Sequence, residues 1–80
     1  MNPETIKPQI REFLGKFIQN HQIQDDDDIF AQGFVNSLFA MQLVMFIENT
    51  FQTTVEDEDL NIDNFRSINA MTDLVVRKKL

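Results

Sequence analysis

Eighty residues, 42% of them apolar, suffice for one small domain with a modest core and are too apolar for a disordered segment. A net charge of −6 argues against DNA and RNA as partners, and the absence of cysteine excludes a disulfide framework and a thiolate metal site. No apolar run is long enough to span a membrane and the N-terminus carries no signal pattern, so a cytoplasmic protein without membrane partners is expected.

The first segment reads as an amphipathic helix. Ile6, Ile10, Phe13, Leu14, Phe17 and Ile18 recur at steps of three and four, with Lys7, Gln9, Arg11, Glu12 and Lys16 on the other side. Thr5 is the expected N-cap, which leaves Pro8 in a first turn where its missing N–H has no partner to lose. Residues 19 to 36 have no sustained period and read as a long connection. Its Ile23, Ile29, Phe30, Phe34 and Val35 are too apolar for a freely solvated loop and are expected to tuck onto the helices.

A second helix starts near Ser37, with Asn36 as its N-cap. Leu38, Met41, Val44, Ile47 and Phe51 trace an inward stripe flanked by Leu43. That phase turns Phe39, Ala40, Gln42, Phe46 and Asn49 outward, an unusually apolar outer face. After the connection beginning near Thr50, a brief helical turn is predicted around Ile62 to Phe65. Ser67 then caps a final helix with Ile68, Met71, Leu74 and Val75 inward and Arg77, Lys78 and Lys79 in its last turn, where positive charge suits the dipole. With two glycines and two prolines, strands are disfavoured. The expected fold is an all-α small four-helix bundle, three main helices plus one short one, with a long first loop, filling a single domain over residues 1–80.

Catalytic chemistry has few building blocks here. The one histidine, His21, falls at the expected end of the first helix, and neither a zinc-ligand cluster nor the parts of a nucleophilic triad are present. "FVNSLF" is not a nucleophile elbow, and no P-loop or dinucleotide fingerprint occurs. The run Asp25 to Asp28 fails the EF-hand spacing, because placing Gly33 at loop position 6 puts Phe30 at position 3. It reads as a solvated acidic loop, as does Glu56 to Asp59. No metal and no catalytic residue is expected. Ser37 stands out by position: in a first helical turn its hydroxyl is exposed, and the positive end of the helix dipole accommodates a phosphate there.

"DDDDIFAQGFVNSLFAMQLVMFIENTF" resembles the core of the acyl and peptidyl carrier protein family. That pattern has an acidic residue, an apolar pair ending in Phe, a Gly two or three places on, two apolar residues, then Asp-Ser-Leu. Ile29, Phe30, Gly33, Phe34, Val35, Ser37 and Leu38 fit it, as does the following helix with Glu48 and Phe51. "VEDEDLNIDNFRSINAMTDLV" is similar to the family's last two helices, with Phe65, Ile68 and Leu74 as core positions. The resemblance spans about residues 5 to 79. It implies 4'-phosphopantetheine, transferred from coenzyme A onto Ser37 by a separate phosphopantetheinyl transferase. It also implies an acyl or aminoacyl thioester on the arm, presented to loading enzymes and downstream synthases by a carrier that catalyses nothing.

The sequence departs from that pattern twice. Asn36 stands where the family usually has Asp; both cap a helix, but the charge is lost. The second helix carries one acid, Glu48, where many fatty-acid carriers show several. "VNSLFAMQLVMFIE" is similar to small stand-alone carriers of polyketide and nonribosomal peptide pathways, some of which hold methoxymalonyl or aminomalonyl units. A carrier loaded with an amino acid fits equally well, and a free-standing monomer is expected. Asn36, Leu38, Phe39 and Met45 are the expected partner-binding residues. The alternatives are a fatty-acid-type carrier and a helical interaction domain that needs no arm.

Overall fold

The computed structural model describes residues 2–17, 23–31, 33 and 36–79. Among these residues three α-helices, α1 (Pro3–Gly15), α2 (Ser37–Phe51) and α3 (Ile68–Lys79), follow in chain order, with short 3-10 turns at Asp57–Asp59 and Ile62–Asn64 between α2 and α3. The arrangement is the expected all-α bundle, the second 3-10 turn taking the place of the short helix. The expectations for Ile18, His21, Phe34 and Val35 lie outside the described residues.

Helix α1 begins earlier than the sequence suggests. Asn2, not Thr5, is the N-cap: its Oδ1 accepts the Thr5 N–H at 3.0 Å and the Thr5 hydroxyl at 3.1 Å. Pro3 then takes the first helical position, and Pro8 falls inside the helix instead of its first turn. The Glu4 carbonyl loses its regular donor there, but Glu4 is exposed and water can serve it. Ile6, Ile10 and Leu14 bury one stripe of α1, and α1 packs against α3. Phe17 lies beyond the last turn of α1 and is half exposed, not a core residue.

Helix α3 matches its expected phase. Ser67 Oγ accepts the Ala70 N–H at 3.0 Å as a cap. Ile68, Met71, Leu74 and Val75 are buried, joined by Thr72, whose hydroxyl donates to the Ile68 carbonyl at 2.8 Å. Its basic end holds the chain that leads into it. Lys78 Nζ bonds Asp59 at 2.7 Å, Lys79 Nζ donates to the Gln52 carbonyl at 3.0 Å, and Arg77 donates to Asn64 Oδ1 at 3.1 Å. The Lys78 ammonium holds the Asp59 carboxyl below its ordinary range, and Asp59 in turn raises Lys78.

The first connection is anchored by more than its apolar residues. Ile23 and Ile29 are buried and Phe30 packs partly against the core. Two backbone bonds tie the loop to the start of α3: Ile29 N–H to the Arg66 carbonyl at 2.8 Å, and Asn69 N–H to the Asp25 carbonyl at 2.9 Å. The aspartates are not simply solvated. Asp25 pairs with Lys7 and Arg11 of α1, and Asp28 both pairs with Arg66 and accepts the N–H groups of Phe30 and Ala31. Asp27 accepts the Gln24 N–H at 2.9 Å. Asp26 remains exposed.

Candidate functional site

The loop delivers the chain to Ser37 through Gly33. With φ at 78°, Gly33 holds a left-handed conformation that a side chain would strain, and its N–H closes a turn onto the Phe30 carbonyl at 3.1 Å. Asn36 is the expected N-cap. Its Oδ1 accepts the Phe39 N–H at 3.0 Å and its carbonyl accepts the Ala40 N–H at 3.0 Å. Ser37 is therefore the first residue of α2, and it is exposed. The N–H groups of Ser37 and Leu38 belong to the helix end, where no intrahelical acceptor exists, and form the positive end of the dipole. No acidic residue lies in that first turn.

Beside Ser37 opens an apolar cleft of about 220 Å³. It is lined by Ser37, Ala40, Met41 and Val44 of α2, by Leu60, Asn61, Ile62 and Phe65 from the chain before α3, and by Phe30. Phe65 is buried as expected, while Leu60 and Ile62 are 49% and 53% exposed on the rim. A second, shallower cleft lies between α1 and α2, lined by Phe13, Gln42, Met45, Phe46, Asn49 and Thr50.

The face that α2 buries matches its sequence stripe in the second half of the helix and departs from it at the start. Leu43, Val44, Ile47 and Phe51 are buried, but Leu38 and Met41 are 74% and 54% exposed. Phe39 and Phe46, expected outside, are half-buried and packed against the core. Phe46 stacks on Phe13 of α1 with ring centroids 4.2 Å apart, and Phe17 meets Phe39 edge-on at 5.0 Å. This aromatic contact turns α2 so that Leu38, Met41 and Met45 face outward. Of the expected partner-binding residues, Asn36, Leu38 and Met45 stand exposed, whereas Phe39 is a packing residue.

Sequence reasoning missed Met41, Leu60, Asn61 and Ile62 as surroundings of Ser37. The apolar character of Leu60 and Ile62 in a segment rich in Asp and Asn was the available signal. Glu48, the one acid of α2, is engaged: its Oε2 accepts the Val55 N–H at 2.9 Å. Among the described residues there is no group of three or more potential metal ligands, and no helix is long and apolar enough to cross a membrane.

Residues 4–75 match a family model described as a phosphopantetheine attachment site. The chain is also 39% identical over 70 residues to the aminoacyl carrier protein of Agrobacterium fabrum (strain C58 / ATCC 33970), a match covering 82% of this chain and 83% of that protein.

Proposed function

The chain belongs to the phosphopantetheine-attachment family, which makes it a carrier and not an enzyme, and on that premise we propose that Ser37 is its attachment residue and an aminoacyl group its cargo. One observation carries the attachment reading: an exposed hydroxyl opens a capped helix on the rim of an apolar cleft. The residues suit the group. The helix-end N–H groups of Ser37 and Leu38 can donate to a phosphate on Ser37 Oγ, and the dipole favours its negative charge. The cleft walls of Met41, Val44 and Ile62 offer apolar contact to what hangs beyond it. When bound, the group supplies a terminal thiol that holds cargo as a thioester.

Asn36 fixes the direction in which Ser37 leaves the loop, since its side chain closes the first turn. The cleft bounds what can be sheltered beside Ser37. A cavity of 150 Å³ holds a benzene-sized guest, so about 220 Å³ accepts a short side chain or a part of the arm. The similarity to the aminoacyl carrier protein supports an aminoacyl cargo. The nearly uncharged α2 supports polyketide or nonribosomal peptide biosynthesis over fatty-acid synthesis. A cytoplasmic setting, where coenzyme A is available to the transferase, belongs to the same reading.

Incubation with coenzyme A and a broad-range phosphopantetheinyl transferase should add the arm, seen by intact mass, and Ser37→Ala should abolish the addition. A wild-type protein left unmodified by several transferases would point instead to an interaction domain without an arm. Intact mass of the protein from its native host, with cargo attached, tests the aminoacyl assignment; a long acyl chain there overturns it.

A further inference from the structure

The cleft beside Ser37 contains one polar side chain to which attachment at Ser37 gives no task. Apart from Ser37 and Asn61, every described residue that lines the cleft is apolar. Asn61 is held at three points. Its N–H donates to the Asp59 carbonyl at 2.8 Å, its carbonyl accepts the Asn64 N–H at 2.8 Å, and its Oδ1 accepts the Asp63 N–H at 2.9 Å. The neighbours are fixed in turn. Lys78 bonds the Asp59 carboxylate, Asn64 Nδ2 donates to the Asp59 carbonyl at 2.9 Å, and Arg77 donates to Asn64 Oδ1. Because Oδ1 has to meet an N–H, the orientation of the amide is settled and Nδ2 is the donor end. Asn61 is exposed, and no acceptor for Nδ2 stands among the described residues. The capping bond asks only for an oxygen, which aspartate or serine supplies as well. An amide adds a donor, and adds it without charge in a segment where Asp57, Glu58, Asp59 and Asp63 are acids.

We propose that Asn61 is a positioning residue for the arm: its Nδ2 donates to an amide carbonyl of 4'-phosphopantetheine laid along the cleft, which makes the arm, not the cargo, the cleft's occupant. The proposal rests on Ser37 as the attachment residue. The chemistry of the group supplies the match, because beyond its phosphate the arm alternates apolar stretches with secondary amides. The apolar stretches suit Met41, Val44 and Ile62. An amide carbonyl laid against those side chains loses water and needs a donor in exchange. Asn61 carries that donor among the lining side chains. It is fixed before the arm arrives, so little rotamer freedom is lost when the bond forms. A free aminoacyl group fits the same place poorly, since its ammonium finds no acid among the lining residues.

The test is NMR on isotope-labelled protein carrying an unlabelled arm. The Asn61 Nδ2 proton signals should move when coenzyme A and the transferase convert apo to holo protein, and isotope-filtered NOEs should join them to the arm's methylene protons. Asn61→Asp and Asn61→Ser both keep an oxygen to cap the turn; the first removes the donor, and the second withdraws it from reach without adding charge. In both variants the ratio of docked to free arm, read from NOEs to the methyls of Met41 and Ile62, should fall about fivefold, as for the loss of one neutral hydrogen bond. The Asp63 N–H should keep its wild-type exchange rate. Identical Asn61 side-chain signals in apo and holo wild type overturn the proposal, as does a docked-to-free ratio within about twofold of wild type in either variant. A fall in that ratio that comes with faster exchange at Asp63 also overturns it, because Asn61 then acts only as a cap. In protein loaded with an amino acid, NOEs to those methyls from the cargo instead of the arm overturn it as well. Absence of an arm on Ser37 overturns the attachment residue itself, whereas an arm on Ser37 without contact to Asn61 overturns this inference alone.

Discussion

Asn36 Oδ1 accepts the backbone N–H of Phe39 at 3.0 Å, and that bond sets where α2 begins. It makes Ser37 the first helical residue, and it also ties the cap to the ring that packs against α1. An amide performs here the capping role that a carboxylate performs in the family's usual pattern, without a charge beside the serine.

Asn36→Ala should lower stability by about 1 kcal/mol, the usual loss for an N-cap. Asn36→Asp should keep the cap and gain roughly 0.3–1 kcal/mol from the helix dipole. Urea unfolding of the three proteins at neutral pH measures both. An alanine variant as stable as wild type would mean that the cap is not what holds the helix start.

Phe39 and Met45, adjacent in role on sequence grounds, should separate on mutation. Phe39→Ala should cost roughly 2 kcal/mol, below the 3–5 kcal/mol of a fully buried Phe because the ring is half-buried. Met45→Ala should change stability by less than about 0.5 kcal/mol, as for an exposed side chain. Equal denaturation midpoints for the two variants would contradict the aromatic packing of α2 on α1.

Asp25 links the first loop to both α1 and α3. Its side chain pairs with Lys7 and Arg11, and its carbonyl accepts the Asn69 N–H. Asp25→Ala should cost about 0.2–1 kcal/mol, since the pairs are partly exposed, and the loss should shrink at high salt. Amide hydrogen exchange offers a local check: the Asn69 N–H should be protected in wild type and exchange faster in the variant.

The Asp59–Lys78 pair predicts a pH dependence at both ends. Lys78 holds the folded-state pKa of Asp59 below its unfolded value. The pair's contribution is therefore complete above the ordinary carboxylate range, about pH 4, and is lost as pH falls through the lowered value. Lys78 is raised, so its share is complete below about pH 10.4 and is lost as pH climbs through the folded value. Asp59→Asn should flatten the acid limb of stability against pH, measured by urea unfolding between about pH 2 and 5. An unchanged acid limb would show that another carboxylate sets it.

The sequence alone was enough for the helices, because each has a start signal and a periodic apolar set. Ser67 capping α3 and the stripe of Ile68, Met71, Leu74 and Val75 could be read directly, since α3 is polar on its other side and only one phase buries its apolar residues. Ser37 and its cap were legible for the same local reason. At the start of α1, two residues could cap, and the choice of Asn2 over Thr5 was not visible, because both residue types accept the same bond. The phase of α2 was legible for Leu43, Val44, Ile47 and Phe51, but which way its first turns face was decided only by tertiary structure. From Leu38 to Ile47 nearly every side chain is apolar, so burial in either of two orientations looks equally favourable from the sequence. What selects between them is a contact with residues far along the chain: Phe13 and Phe17 take up Phe46 and Phe39, and the helix turns Leu38, Met41 and Met45 to the outside. The partners of the aspartates were hidden for a related reason. Periodicity reports which face of a segment is apolar, whereas the positions of Lys7, Arg11 and Arg66 beside the loop exist only once the helices have packed.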